Sequence, residues 1–215
     1  LLEKITGVQL VQTDFSAESN TFSQVVNIIS ITFMAPLFEE ILIRGGMLNN
    51  IKRFGSWSAV ISTGIFFGLL HMNYPQVPFA AVMGFVAAFI ALKTKSIIPT
   101  IIVHFIVNGI GGAASLITGK LDIKAMQSGD FTTLMEDPKV MVIYMCLTVF
   151  VMGLMFVGLL LFILEIILHR DSFKLEKVNP EVSEGKKLLH YFTAPLTILL
   201  TLFYIGITIY KAIPL

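Results

Sequence analysis

The chain has 215 residues, of which 55% are hydrophobic and 13% charged. An ordinary soluble domain is about 25% charged, so this composition, with a mean hydropathy of +0.84, excludes a soluble globule and points to a polytopic membrane protein. A net charge of +1 argues against a nucleic-acid surface, and the single cysteine, Cys146, excludes an intrachain disulfide and a Cys/His zinc cluster.

In chain order, Leu1 to Thr21 reads as a mixed, polar lead-in at or outside the membrane interface. The chain opens on Leu1-Leu2 with no initiator Met, so further residues, spans among them, are expected upstream. A span takes about 20 apolar residues, and six segments meet or approach that length: Val25 to Leu48, Trp57 to Met72, Val77 to Leu92, Ile97 to Thr118, Val140 to Leu168 and Leu188 to Ile213. The expected fold is an all-α transmembrane bundle forming one integral membrane domain over 1–215. Its core lies at about 25–119, with additional spans at about 140–168 and 188–213. The second and third segments are short, and Asn73-Tyr74-Pro75 joins them as a helical hairpin. Pro36 falls inside the first segment, where it predicts a kink and freed carbonyls near the glutamates that follow. Pro99 stands in the tolerated first turn of the fourth. Lys120 to Lys139 and Asp171 to Lys187 read as solvated polar links.

Alternating spans place ten basic residues on one side: Arg44, Lys52, Arg53, Lys93, Lys95, Arg170, Lys174, Lys177, Lys186 and Lys187. Lys4, Lys120, Lys124, Lys139 and Lys211 fall on the other. The positive-inside rule assigns the first side to the cytoplasm.

Three of these segments carry buried-type polar groups. Glu39-Glu40 sits late in the first. A charged side chain in hydrocarbon costs roughly 2.5 to 3.5 kcal/mol on insertion scales, so adjacent carboxylates call for pairing, transport or chemistry. Glu40 and Arg44 are spaced i, i+4 and can pair. Glu39 then points about 100° away, toward another role. The plainer alternative is a frayed helix end with both glutamates reaching water. The second segment ends in His71, one turn after Phe67, and the fourth carries His104 and Asn108 one turn apart. Each imidazole taken alone has an ordinary explanation, at the interface or in an interhelical hydrogen bond. Taken together the groups match the tasks of peptide hydrolysis: a carboxylate as base toward water, an imidazole to hold that water, and an imidazole with a carboxamide to stabilise an oxyanion. Gly109, Gly111 and Gly112 then allow close approach of a helix or an extended peptide.

These motifs, Glu39-Glu40 with Arg44, Phe67 with His71, and His104 with Asn108, stand intact and in order. In this the chain resembles the CPBP family (CAAX protease and bacteriocin-processing, or Abi) of intramembrane proteases, relatives of the type II CAAX prenyl endopeptidase. The resemblance covers Val25 to about Gly119 and carries nothing to the last two spans. It implies a glutamate-dependent endopeptidase. Glu39 is then the general base, His71 positions the water, and His104 with Asn108 forms the oxyanion hole. Glu40, Arg44 and Phe67 support them. The family is often labelled metalloprotease. No His-Glu-x-x-His element is present and Asn is a poor zinc ligand, so no metal is expected. A zinc ion, if used, would take Glu39, His71 and His104.

The expected partners are a peptide or membrane-protein substrate and membrane lipids, with no nucleic acid. The expected place is a bacterial plasma membrane, with the site nearer the cytoplasmic face. Counted from the cytoplasmic ends, Glu39 and His104 lie about 10 Å deep and His71 about 20 Å. The count brings His71 to the others only if its helix starts late or tilts. Two further functions fit the composition. A non-catalytic scaffold would tolerate Glu39→Gln, and a proton-coupled transporter would favour broken helices in paired repeats, of which the chain has none.

Overall fold

The computed structural model describes residues 21–118, 138–178 and 181–212. The lead-in before Thr21 and the loop from Lys120 up to Pro138, with Lys4, Lys120 and Lys124, lie outside the described residues. All regular structure among the described residues is helical. Four helices are long and apolar enough to cross a membrane, or five if a bent pair near the C-terminus is one span.

The first helix, α1, covers Phe22–Ile51. It is not uniform: two wide, π-type stretches, Ser30–Met34 and Ile41–Leu48, interrupt the α-helical turns. The first of them accommodates Pro36. In it the Ala35 N–H bonds Ser30 O, five residues back, and Pro36 itself has no N–H to offer. Ile31 O is left without its usual helical donor, so the carbonyl freed by Pro36 is Ile31's. The second wide stretch contains Gly45 and Gly46. Their carbonyls are taken by the Asn49 and Asn50 side-chain amides, each at 2.9 Å.

Helices α2 (Ser56–Leu70) and α3 (Gln76–Thr94) form the expected hairpin. Its turn is closed by Gln76 N–H to Asn73 O at 2.9 Å. At 15 residues α2 is about 22 Å long, short of a hydrocarbon core of about 30 Å. The two helices meet along small residues. A Cβ on Gly84 would stand 2.9 Å from Gly64 Cα, and one on Gly68 2.7 Å from Val77 O. Because the backbones approach so closely, a compact apolar cluster of Leu48, Ala59, Val60, Ala88 and Ala91 forms beside them.

Helix α4 covers Ile98–Thr118 with Pro99 in its first turn, and α5 covers Pro138–Leu168. The span within α5 has no residue buried, and Cys146 on it is exposed. A short 3-10 turn, Arg170–Phe173, follows. The sixth segment is not one continuous helix. It divides into α6 (Glu184–Thr193) and α7 (Pro195–Ala212), bent by 73°. Pro195 is the cause, because it holds Ala194 in an extended conformation (ψ 133).

The described residues fall into two compact units. One comprises 37–103 with 175–178 and 181–212, and the other 21–36 with 104–118 and 138–174. The expectation of a solvated link over Asp171 to Lys187 fails at several of its residues. Leu175 packs on the Leu48 cluster, Ser56 Oγ donates to Glu176 O at 2.7 Å, and the Lys187 side chain is only 8% exposed.

Candidate active site

The first unit holds Glu39, Glu40, Arg44, Phe67 and His71; the second holds His104 and Asn108. Glu39-Glu40 closes the α-helical stretch Ala35–Glu40, and Arg44 lies in the wide turn that follows. Glu40 is 0% and Arg44 1% exposed. Their ion pair is 2.9 Å, Arg44 Nη1 to Glu40 Oε1. The guanidinium also donates to Gly84 O at 3.3 Å and lies 4.3 Å from the Phe67 ring centre. This cage answers the alternative of a frayed end for Glu40, which does not reach water. It also removes Arg44 from the ten basic flanking residues, leaving nine. Arg44 is a core residue of this unit, and its charge interacts with Glu39 as well as Glu40. Glu39 itself is half-buried.

Phe67 is buried, and its place between Arg44 and His71 explains its spacing. The His71 ring packs edge-on against it at 5.1 Å. His71 caps the C-terminal end of α2, and its Nδ1 lies 2.9 Å from Phe67 O. A carbonyl only accepts, so Nδ1 carries the hydrogen and the neutral ring keeps its lone pair on Nε2. That is the arrangement a water-holding imidazole requires. The end of α2, the hairpin turn and α7 line an open apolar cleft of about 530 Å³. Leu69, Tyr74, Val77 and Pro78 line one side, Ile205 and Ile209 the other.

In the second unit His104 is 3% exposed. Asn108, one turn on, donates from Nδ2 to Ile31 O at 3.0 Å. This is the carbonyl that Pro36 and the wide turn leave without a helical donor. Asn108 thus has a structural task that its motif does not announce. The primary amide carries a second Nδ2 hydrogen for another acceptor. A Cβ on Gly109 would meet Thr32 Cγ2 at 3.4 Å, an ordinary contact, so α4 packs beside the wide turn without requiring glycine there.

Two contributors were not singled out in the sequence: Gly84, whose carbonyl receives Arg44, and Ile31, whose carbonyl receives Asn108. Pro36 was the available signal for the second. A backbone acceptor such as Gly84 O leaves none. Among the described residues, no three His, Cys, Asp or Glu side chains are grouped to hold a metal ion.

Among the described residues the fold is that of an all-helical membrane protein, with a buried carboxylate–guanidinium pair in its first unit. Residues 21–110 match the family described as Type II CAAX prenyl endopeptidase Rce1-like. The matched segment contains every residue of the three motifs, and the match is consistent with the resemblance they carry. No curated protein and no solved structure matches the chain significantly.

Proposed function

We propose that this protein is an intramembrane endopeptidase that cleaves a peptide bond with water activated by Glu39. The observation that carries the reading is the division of labour between adjacent glutamates. Glu40 is committed to Arg44 in a fully buried pair, and that pair fixes the helix from which its neighbour Glu39 projects. The family match over 21–110 supports the reaction class.

In this reading Glu39 takes a proton from water as the oxygen attacks the carbonyl carbon. The His71 Nε2 lone pair accepts the water's other hydrogen and so holds it in place. The carbonyl oxygen becomes an oxyanion, stabilised by an N–H of His104 and by the Asn108 Nδ2 hydrogen not given to Ile31. Collapse breaks the C–N bond, and Glu39 returns its proton to the leaving amine. The charges created are balanced without a metal, and no metal enters the proposal. The nine remaining basic residues favour a cytoplasmic position for the end of α1, so the substrate is a peptide or membrane-protein segment cut near that face.

The test is cleavage of a quenched peptide library by purified protein in liposomes, with His104→Ala alongside and a chelator in parallel. Cleavage that survives the chelator and fails in His104→Ala supports the reading. Cleavage that is lost to the chelator and restored by zinc overturns the metal-free mechanism. A proton gradient requirement would favour the transporter.

A further inference from the structure

The C-terminal part of the chain lies outside the family match, which ends at residue 110, yet it closes on the helix that carries His71. Helix α2 begins at Gly55, whose extended backbone (φ 172, ψ 134) offers no side chain to the first turn. The Ser58 N–H, three residues in, would ordinarily be satisfied by a capping residue at that position. Here it donates to Glu184 Oε2 at 2.8 Å, across 126 residues of sequence. The Ser58 hydroxyl donates to the same oxygen. Lys187 holds the other carboxylate oxygen at 2.6 Å and also donates to Val178 O. Gly55 is required by this arrangement. A Cβ there would lie 2.8 Å from Glu184 Oε2 and 2.7 Å from Lys187 Cδ. A carboxylate at a helix N-terminus is also favoured by the helix dipole.

We propose that Glu184 is the N-cap of α2, supplied in trans by α6, and that through α2 it is a positioning residue for His71. The inference rests on the peptidase reading. The mechanical link is short. The His71 ring is tied to Phe67 O and to the Phe67 face, so it has no orientation independent of α2. A second contact from the same element, Phe66 on Tyr191 and Phe192, holds α2 further along. The segment from Leu175 to Thr193 is therefore part of the catalytic unit.

The test is a cycle of Glu184→Ala, Gly55→Asp and the double variant, measured in liposomes for kcat, KM and unfolding temperature. Glu184→Ala removes the cap, and kcat is expected to fall about tenfold or more, since small misplacements of a reacting group are costly, with KM within about twofold. Gly55→Asp alone sets a second carboxylate against Glu184 and is also impaired. Together, the new Asp caps α2 in cis in the space Glu184 vacates, and Lys187 regains a partner, so kcat recovers to within about threefold of wild type. Two results overturn the proposal: wild-type kcat in Glu184→Ala, or a double variant that regains unfolding temperature while kcat stays low. If the wild type cleaves nothing, the peptidase reading fails and the positioning claim with it. The cap is then decided by the unfolding temperatures alone, where recovery in the double variant supports it and additive losses overturn it.

Discussion

Arg44→Met isolates the interaction around which the first unit is built. It removes the 2.9 Å ion pair with Glu40, the 3.3 Å hydrogen bond to Gly84 O and the cation over Phe67. The methionine fills similar space and regains a sulfur–aromatic contact of about 0.3–1.5 kcal/mol with Phe67. What it cannot repair is the Glu40 carboxylate, left at 0% exposure without the guanidinium charge of Arg44. Removing one partner of such a pair costs about 3–5 kcal/mol, an increase of roughly 150- to 5,000-fold in the unfolded-to-folded ratio. Glu40→Leu alone leaves the guanidinium with Glu39 as its remaining counter-charge and is expected to cost less than Arg44→Met. The double variant strands neither charge and is expected to lie within about 1–2 kcal/mol of wild type. Reversible unfolding in detergent micelles reads all three. A loss below about 1 kcal/mol in Arg44→Met, or a double variant as unstable as the sum of the singles, would refute the argument that burial makes this pair obligatory.

Further outcomes follow from the helix seams and the capped ends. Gly84→Ala drives a methyl group against Gly64 Cα and Phe67 Cβ and is expected to cost about 1–3 kcal/mol, whereas Gly111→Ala, with nothing within 4 Å, is expected to gain up to about 1 kcal/mol of helix stability; thermal unfolding of the two compares them directly. Asn108→Ala orphans Ile31 O at about 1–3 kcal/mol. In a Pro36→Ala background, residue 36 regains an N–H and the same change should cost less, as a double-mutant cycle on unfolding will read. Glu184 stands ahead of the apolar run of the sixth segment. Burial raises its pKa, but hydrogen bonds from Lys187 and Ser58 outweigh it and hold the carboxyl below its ordinary value of 4.5. A depressed folded pKa contributes stability that is present above the unfolded value and lost as pH falls through the folded one. Acid titration of unfolding temperature should therefore show a loss below the ordinary carboxylate range, and Glu184→Gln should flatten it.

Much of this architecture was legible in the residues because hydrocarbon is an unforgiving solvent. Apolar length located the helices, the Asn73-Tyr74-Pro75 turn located the hairpin, and the i, i+4 spacing of Glu40 and Arg44 anticipated their pair. Pro36 announced a disturbed helix and a freed carbonyl, but not that Asn108 would take it, since a side chain's acceptor on another helix has no local signature. The bend at Pro195 was missed because the apolar run continues through it, and hydropathy is blind to an extended Ala194. Arg44 was counted as a flanking charge because composition cannot tell a caged guanidinium from a solvated one. Glu184 looked like one more charge in a polar link. Its partner Ser58 lies 126 residues away, beyond any periodicity or spacing argument.

The central claim is that Glu39 performs chemistry, and the measurement that meets it most directly is turnover of a cleaved peptide by Glu39→Gln beside the wild type, both reconstituted in liposomes and matched for unfolding temperature. Glutamine keeps the size and hydrogen-bonding shape of the side chain and removes only its basicity. The account predicts that kcat falls by about 10²- to 10⁴-fold, the range of a general base, while peptide binding persists. Turnover within about twofold of wild type would contradict it and return the polar cluster to a structural or partner-binding role.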